Sequence, residues 1–309
     1  MKKKYSKILV TGGAGFIGSH VVDLLIKNGY QVSVVDSIEK KKGWINKQAT
    51  YYHIDINDPK LKSVFVKEKP DAVIHLAAYI EDRTSVLEPV ENADNNIIGL
   101  LRVFETCRAF KIKRILFASS SVIYGEQKSF PIDEKATPWP LTPYAISKLV
   151  GEHYLNFYNK VLGISGLALR LANVYGPRQD SRGDSGVLAI FTEKMLRGQQ
   201  PVVNNDGQTK RDYIFVGDVA RAFLLALESK KEGEINISSG REISTLEIFK
   251  TLKVLTKSDC KLIFDAKKQD RIKRISLNSR LAAKTIGWQP KVSIQTGFKT
   301  TVAWFKSRI

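Results

Sequence analysis

Tyr144 and Lys148 lie four residues apart in Pro143-Tyr-Ala-Ile-Ser-Lys148. On a helix that spacing places both side chains on one face, so an ammonium sits beside a phenol and eases the loss of its proton. A free phenol titrates near ~10, and poising it near ~7 takes about 4 kcal/mol of extra stabilisation for the phenolate. Such a pair is an acid-base device, and it needs a reactant held against it. Far upstream, Thr11-Gly-Gly-Ala-Gly-Phe-Ile-Gly18 supplies one. Gly12, Gly15 and Gly18 follow the spacing G-x-x-G-x-x-G between an expected strand and an expected helix. In that setting a glycine turn brings backbone N–H groups and the positive end of a helix to a dinucleotide pyrophosphate. Outside it, a glycine triplet would be an ordinary turn.

The elements that must carry these residues alternate. Short β-branched runs at 8–10, 32–35, 51–54, 72–76 and 115–118 have the continuous apolar character of buried parallel strands. Helical patterns begin near Gly15, Pro59 and Pro89. This predicts an α/β fold with a doubly wound, Rossmann-type parallel sheet and a smaller C-terminal lobe. The dinucleotide domain is expected over 1–172, completed by parts of 213–237, and the lobe over 173–309. A helix over 143–162 carries more apolar surface than one sheet-facing stripe needs, as does the stretch 91–110; both suit either a thicker core or a second subunit. A strand is expected at 166–171, a mobile polar loop at 179–186, and helices at 187–197, 216–229, 245–255 and 293–305.

Asp36 ends the second expected strand, where a carboxylate accepts hydrogen bonds from an adenosine ribose 2′-OH and repels a 2′-phosphate. This favours NAD over NADP, with Lys40, Lys41 and Lys42 just beyond pulling the other way. After the fifth strand, Phe117-Ala-Ser-Ser-Ser-Val-Ile-Tyr-Gly125 brings a serine cluster to the edge of the sheet where such folds bind ligands.

Composition narrows the classes. The formal net charge of +18 would suit a nucleic-acid partner, but the lysines and arginines are not interleaved with stacking aromatics, so solvated surface charge and attraction for small anions account for it. No run approaches the ~18 to 20 apolar residues of a membrane span, and the basic start lacks a signal core; a cytoplasmic, soluble protein is expected. Cys107 and Cys260 have no metal or CxxC spacing and are expected as reduced thiols. With four histidines, unclustered, no metal site is expected.

Taken in order, these motifs resemble the extended short-chain dehydrogenase/reductase family, in particular its NAD-dependent nucleotide-sugar epimerases. The resemblance runs nearly end to end. It includes Asp55-Ile56, His75-Leu-Ala-Ala78, Asn95-Asn96, Arg170-Leu-Ala-Asn-Val-Tyr-Gly-Pro-Arg178, Arg211-Asp-Tyr-Ile-Phe-Val-Gly-Asp218 and Gly287-Trp-Gln-Pro290. It implies that Gly12, Gly15, Phe16, Ile17, Gly18, Asp36, Asp55, Ile56, Leu76, Ala77, Ala78 and Asn95 hold NAD. It further implies that Ser120, Tyr144 and Lys148 are catalytic, Lys148 also holding the nicotinamide ribose. Ser121, Asn173, Val187 and Arg211 join Ser120 and Tyr144 around a nucleoside-diphosphate sugar, Arg211 being suited to a bidentate phosphate contact. The implied reaction inverts C4 through a transient 4-keto sugar, and the implied assembly is a homodimer. A 4-keto reductase and a nucleotide-sugar decarboxylase share the Tyr-Lys core and stand as alternatives, with a non-catalytic nucleotide- or RNA-binding protein as a remote third.

Departures from the family pattern matter as much. Where 4,6-dehydratases place an Asp-Glu pair after the catalytic hydroxyl, this chain has Ser121-Val122, which disfavours water elimination. Ile80 stands where some relatives carry a lysine. No aromatic residue occurs in Val203-Asn-Asn-Asp-Gly207, where one usually packs on the nucleotide base, so the base stays open. Lys267-Lys-Gln-Asp270 replaces the usual diphosphate motif, leaving Lys267, Arg271 or Arg274 to take the phosphate.

Overall fold

The structure is a computed structural model and describes residues 4–38, 44–80, 82–182, 186–266 and 272–309. Its strands are β1 (Lys7–Thr11), β2 (Gln31–Asp36), β3 (Thr50–His53), β4 (Ala72–His75), β5 (Arg114–Ser120), β6 (Ser165–Leu171), β7 (Asn173–Tyr175), β8 (Val202–Asn204), β9 (Lys210–Phe215), β10 (Gly233–Ile237), β11 (Glu242–Ser244), β12 (Ile263–Asp265) and β13 (Arg274–Ile275). The helices are α1 (Phe16–Lys27), α2 (Leu61–Glu68), α3 (Asp82–Leu87), α4 (Pro89–Ala93), α5 (Gly99–Ala109), α6 (Pro143–Lys160), α7 (Val187–Leu196), α8 (Val216–Glu228), α9 (Thr245–Thr256), α10 (Arg280–Ile286) and α11 (Ile294–Lys306).

Seven strands pair in parallel in the order β10-β6-β5-β4-β1-β2-β3. The order reverses between β1 and β4, and such a switch leaves a crevice at the strand ends where ligands bind. Both faces are covered, which is why the inner strands are continuously apolar. One face packs α1 and α8 through Val21, Leu25, Phe223 and Leu227; the other packs α2, α5 and α6 through Phe65, Val103, Phe104 and Leu155. The expected buried strand over 51–54 is instead an edge strand, with Tyr51 and Tyr52 half-buried, because among the described residues no strand pairs beyond it.

The single helix expected from Pro89 is broken up. An extra helix, α3, precedes it, and residues Asp94–Ile98 form a π-helical turn before α5. Asn96 explains the turn: its side chain clamps the Tyr79 backbone at N–H and C=O, 2.7 and 2.9 Å, and donates to Ser147 at 3.2 Å. The apolar residues of α5, Leu100, Val103, Phe104 and Cys107, are used up in the core, whereas Ile146, Tyr154 and Phe157 of α6 and the adjoining Val161 stay exposed.

The rest of the chain builds a second core. Strand β9 pairs with β7 and β13 in parallel and with β11 antiparallel, while β8 pairs with β12. Helices α7, α9 and α11 close over Tyr175, Phe191, Phe249 and Phe298. Two of the quoted motifs prove to be structural where they meet. Trp288 is fully buried and donates to the Asp218 carbonyl at 2.9 Å, and the Asp218 carboxylate accepts the N–H groups of Lys291 and Val292. Among the described residues no helix is long and apolar enough to cross a membrane.

Candidate active site

A cavity of about 1100 Å³ opens over the C-terminal ends of β1, β2, β4, β5 and β6. Every described residue named above as a candidate for cofactor, substrate or catalysis borders it except Arg274. Lys267 and Arg271 lie outside the described residues. Arg274 does not line the cavity; its guanidinium pairs with Glu242 at 2.9 Å and lies over the Phe130 ring, so the phosphate role considered for it is not supported.

The glycine turn joins β1 to α1. Gly12 has a φ of 72°, and a side chain there would meet the Ala77 backbone at 2.5 Å. Gly18 has a different duty: a Cβ on it would come within 2.0 Å of the Gly12 carbonyl, so its lack of a side chain lets the helix seat on the turn. The start of α1 has no side-chain cap and no acidic residue in its first turn, which leaves a positive helix end at the cavity wall. A dinucleotide pyrophosphate fits that end. Asp36 is buried at the tip of β2, where its two oxygens accept the N–H groups of Ala14 (2.8 Å) and Ile38 (2.9 Å). Its carboxylate thus borders the cavity as expected and also ties the glycine turn to β2.

At the other end, β5 stops at Ser120 and a 3₁₀ turn, Ser121–Tyr124, follows. The Ser120 hydroxyl accepts the Val122 N–H at 3.4 Å. Helix α6 starts on Thr142, whose side chain accepts the Ala145 N–H at 3.2 Å, with Pro143 in the first turn. This cap places Tyr144 at the cavity and Lys148 one turn deeper. Lys148 Nζ donates to the Ala118 carbonyl at 2.9 Å and lies 5.6 Å from the centre of the Tyr144 ring. Burial pulls the Lys148 ammonium down to about 7. Below it, burial and then the Lys148 charge hold His75 at about 3, so the imidazole is neutral and bonds Thr11 at 2.7 Å.

A buried ion pair underlies this end of the site. Glu152, one turn beyond Lys148 on the same face of α6, receives Arg170 of β6 at 2.7 Å and Ser119 of β5 at 2.5 Å. Arg170 also donates to the Tyr124 hydroxyl at 2.8 Å, which donates to Asn236 of β10 at 2.8 Å. One network therefore fixes α6 against the strand that delivers Ser120.

The opposite wall is built differently. Asn173 opens β7 and is exposed, and Val187 opens α7. The Arg211 guanidinium donates to the carbonyls of Lys210 (3.0 Å) and Ile272 (2.6 Å). Its neighbour Asp212 anchors β9 by accepting the N–H groups of Ser239, Gly240 and Leu277; burial raises that carboxyl to about 6 against the pull of those donors. Val203 packs into the second core and, with Val202 and Asn204, borders the cavity, so no aromatic side chain stands in this stretch.

The family model described as NAD dependent epimerase/dehydratase matches residues 8–238. The chain belongs to this family. It is 34% identical to the UDP-glucose 4-epimerase of Mycolicibacterium smegmatis, over 98% of this chain and 99% of that one. Among solved structures, the UDP-glucose 4-epimerase of Thermotoga maritima with UDP-glucose superposes with a TM-score of 0.94 at 43% identity, covering 98% and 99% of the two chains. The Thermus thermophilus UDP-glucose 4-epimerase in complex with NAD gives 0.92 at 35% identity, covering 98% and 100%. The expected fold class and the NAD-dependent epimerase assignment agree with the family.

Sequence reasoning passed over several residues that support this cavity. Glu152 was legible as the next member of the 144, 148 series, and Arg170 stood inside a quoted motif. Asn96, adjacent to the candidate Asn95, is the buried clamp, whereas the Asn95 amide donates back to Glu91 at 2.9 Å. Only the fold reveals that Trp44 and Arg178 reach the glycine turn and α1.

Proposed function

We propose that this protein interconverts UDP-sugars epimeric at C4, with Tyr144, Ser120 and Lys148 as its catalytic groups. The observation that carries the proposal is the convergence of those three residues at one end of a cavity that presents an uncapped helix start and Asp36 on one side, and Asn173 and Arg211 on the other. The glycine turn, Asp36, Asp55 and the stretch Leu76–Ala78 would hold NAD, which would supply an acceptor for the C4 hydride that can also return it, by way of a 4-keto sugar.

The chain's own residues handle the proton. Tyr144 takes it from the 4-OH and gives it back after the hydride has moved, so one phenol serves both directions. Ser120 holds the same oxygen. Lys148 reduces the cost of the phenolate, and the phenolate in turn favours the ammonium, so the two groups titrate as a pair. Arg211 and Asn173 grip the diphosphate, which leaves the hexose anchored at one end and able to present either face. Ser121 and Val122 follow the hydroxyl, so no carboxyl group stands there to drive dehydration.

The test is to incubate the purified protein with UDP-glucose and a panel of UDP-, dTDP-, GDP- and CDP-sugars, without and with added NAD(H). Formation of the C4 epimer without consumption of NADH is expected. Stoichiometric NADH consumption would identify a reductase instead, and release of carbon dioxide from UDP-glucuronate a decarboxylase.

The reading extends to a homodimer built on the outer face of α6, where Tyr154 and Phe157 are exposed, along with Val161 just past its end. Sedimentation showing only monomer at micromolar concentration would remove it.

A further inference from the structure

Residues 44–46, which precede β3, lie against the glycine turn and α1, and the C-terminal end of α11 and Arg308 meet them there. The Trp44 indole N–H donates to the Ala14 carbonyl at 3.4 Å, while the Ala14 N–H donates to Asp36 at 2.8 Å. The middle of the glycine turn is thus held from both sides. Two residues further on, Asn46 donates to Asp23 of α1 at 2.8 Å, and Arg178 pairs with the same carboxylate at 2.7 Å. The outer side of the Trp44 ring meets Trp304 edge-on, with centroids 6.1 Å apart. Arg308 lies over both rings, 5.7 Å from Trp44 and 4.6 Å from Trp304.

Residues 14, 44 and 304 share no local element, so only the tertiary fold brings them together. None of them belongs to the Ser120, Tyr144 and Lys148 end of the cavity. We propose that Trp44, backed by Trp304 and Arg308, is a clamp on the glycine turn that slows release of the dinucleotide without taking part in the chemistry. The proposal rests on the reading of this cavity as an NAD site. Its physical basis is preorganisation: the helix start must stay aimed at the pyrophosphate, and a turn free to loosen gives up its ligand faster. Edge-on aromatic contact and the overlying guanidinium are the forces that keep Trp44 in place.

Trp304→Ala is a clean probe because α11 keeps its buried anchors, Phe298, Val302 and Phe305. Trp44→Phe is the second probe, since it retains an aromatic ring and removes the N–H donor. NAD retained after gel filtration and its dissociation rate after dilution are measured for each, alongside turnover at saturating NAD. Trp304→Ala is expected to release NAD about tenfold faster, equivalent to about 1.4 kcal/mol, with turnover at saturating NAD within about twofold of the unaltered protein. Trp44→Phe should fall in between, and it carries the test if Trp304→Ala does not fold. Unchanged NAD release in both, with normal turnover, overturns the clamp and leaves the proposed reaction standing. Failure of the unaltered protein to bind NAD overturns the cofactor reading and the clamp together.

Discussion

The two walls of the cavity are held in different ways. Around Ser120, Tyr144 and Lys148 every supporting group is buried and satisfied from a neighbouring element: Glu152 by Arg170 and Ser119, Tyr124 by Arg170 and Asn236. Around Arg211 and Asn173 the support comes mainly from backbone groups: carbonyls accept the guanidinium, short strands pair over two or three residues, and the buried Asp212 carboxylate accepts N–H groups of neighbouring segments. A proton-transfer centre must be held to a fraction of an ångström, whereas a diphosphate grip tolerates adjustment by a long side chain. The difference teaches that in this molecule buried side-chain networks are concentrated where proton transfer is expected, and more adjustable, backbone-held side chains where the nucleotide sugar is expected to bind.

Breaking the buried pair is the strongest attack on that contrast. Glu152→Ala leaves the Arg170 guanidinium buried without its main partner, a change that costs about 3–5 kcal/mol in comparable settings. Chemical denaturation should show that loss, and turnover should fall with it because α6 loses its buried bonds to Ser119 of β5 and Arg170 of β6. Glu152→Gln, which preserves the shape, should recover part of both. A Glu152→Ala protein of normal stability and turnover would mean that this end of the site is not held by the network.

The same contrast governs what was legible in the sequence. Strands made of continuous apolar runs, the glycine turn and the 144, 148 pair could be placed because each obeys a local period or spacing. The π-helical turn at Asp94–Ile98 could not, since it follows from the grip of Asn96 on Tyr79, a contact spanning 17 residues. Nor could the state of Arg211: residue type and motif place it at the cavity, but its bond to Ile272 depends on the chain that β13 brings alongside β9. The legible parts are those where sequence-local physics and the site coincide.

A smaller effect separates burial from function at Lys148. Its ammonium titrates at about 7 when folded, against 10.5 ordinarily, with burial as the cause. Between those values the unfolded chain holds a proton that the folded chain lacks, so stability rises with pH across that window. Lys148→Met should abolish turnover yet stabilise the NAD-free protein at pH 6, by roughly 2–3 kcal/mol, under a ceiling of about 5 kcal/mol for the full shift. The advantage should shrink steadily toward pH 10. Urea midpoints of both proteins at pH 6 and 9 measure it; a difference that does not change with pH would show that the lysine is not buried as a charge.

The mildest change probes the adaptable wall. Arg211→Lys keeps the charge but removes the planar fork that can bond two phosphate oxygens while still reaching the carbonyls of Lys210 and Ile272. A lysine can make one such contact, so affinity for the nucleotide sugar should fall about tenfold, or about 1.4 kcal/mol. If the two walls are as separate as their supports suggest, the loss appears in KM, with kcat within about twofold and the denaturation midpoint unchanged. Should kcat fall in parallel with KM unchanged, the guanidinium acts on the transition state and the wall is coupled to the proton-transfer end. Steady-state kinetics on the active UDP-sugar, measured beside Glu152→Ala, then decide whether one network or two shape this site.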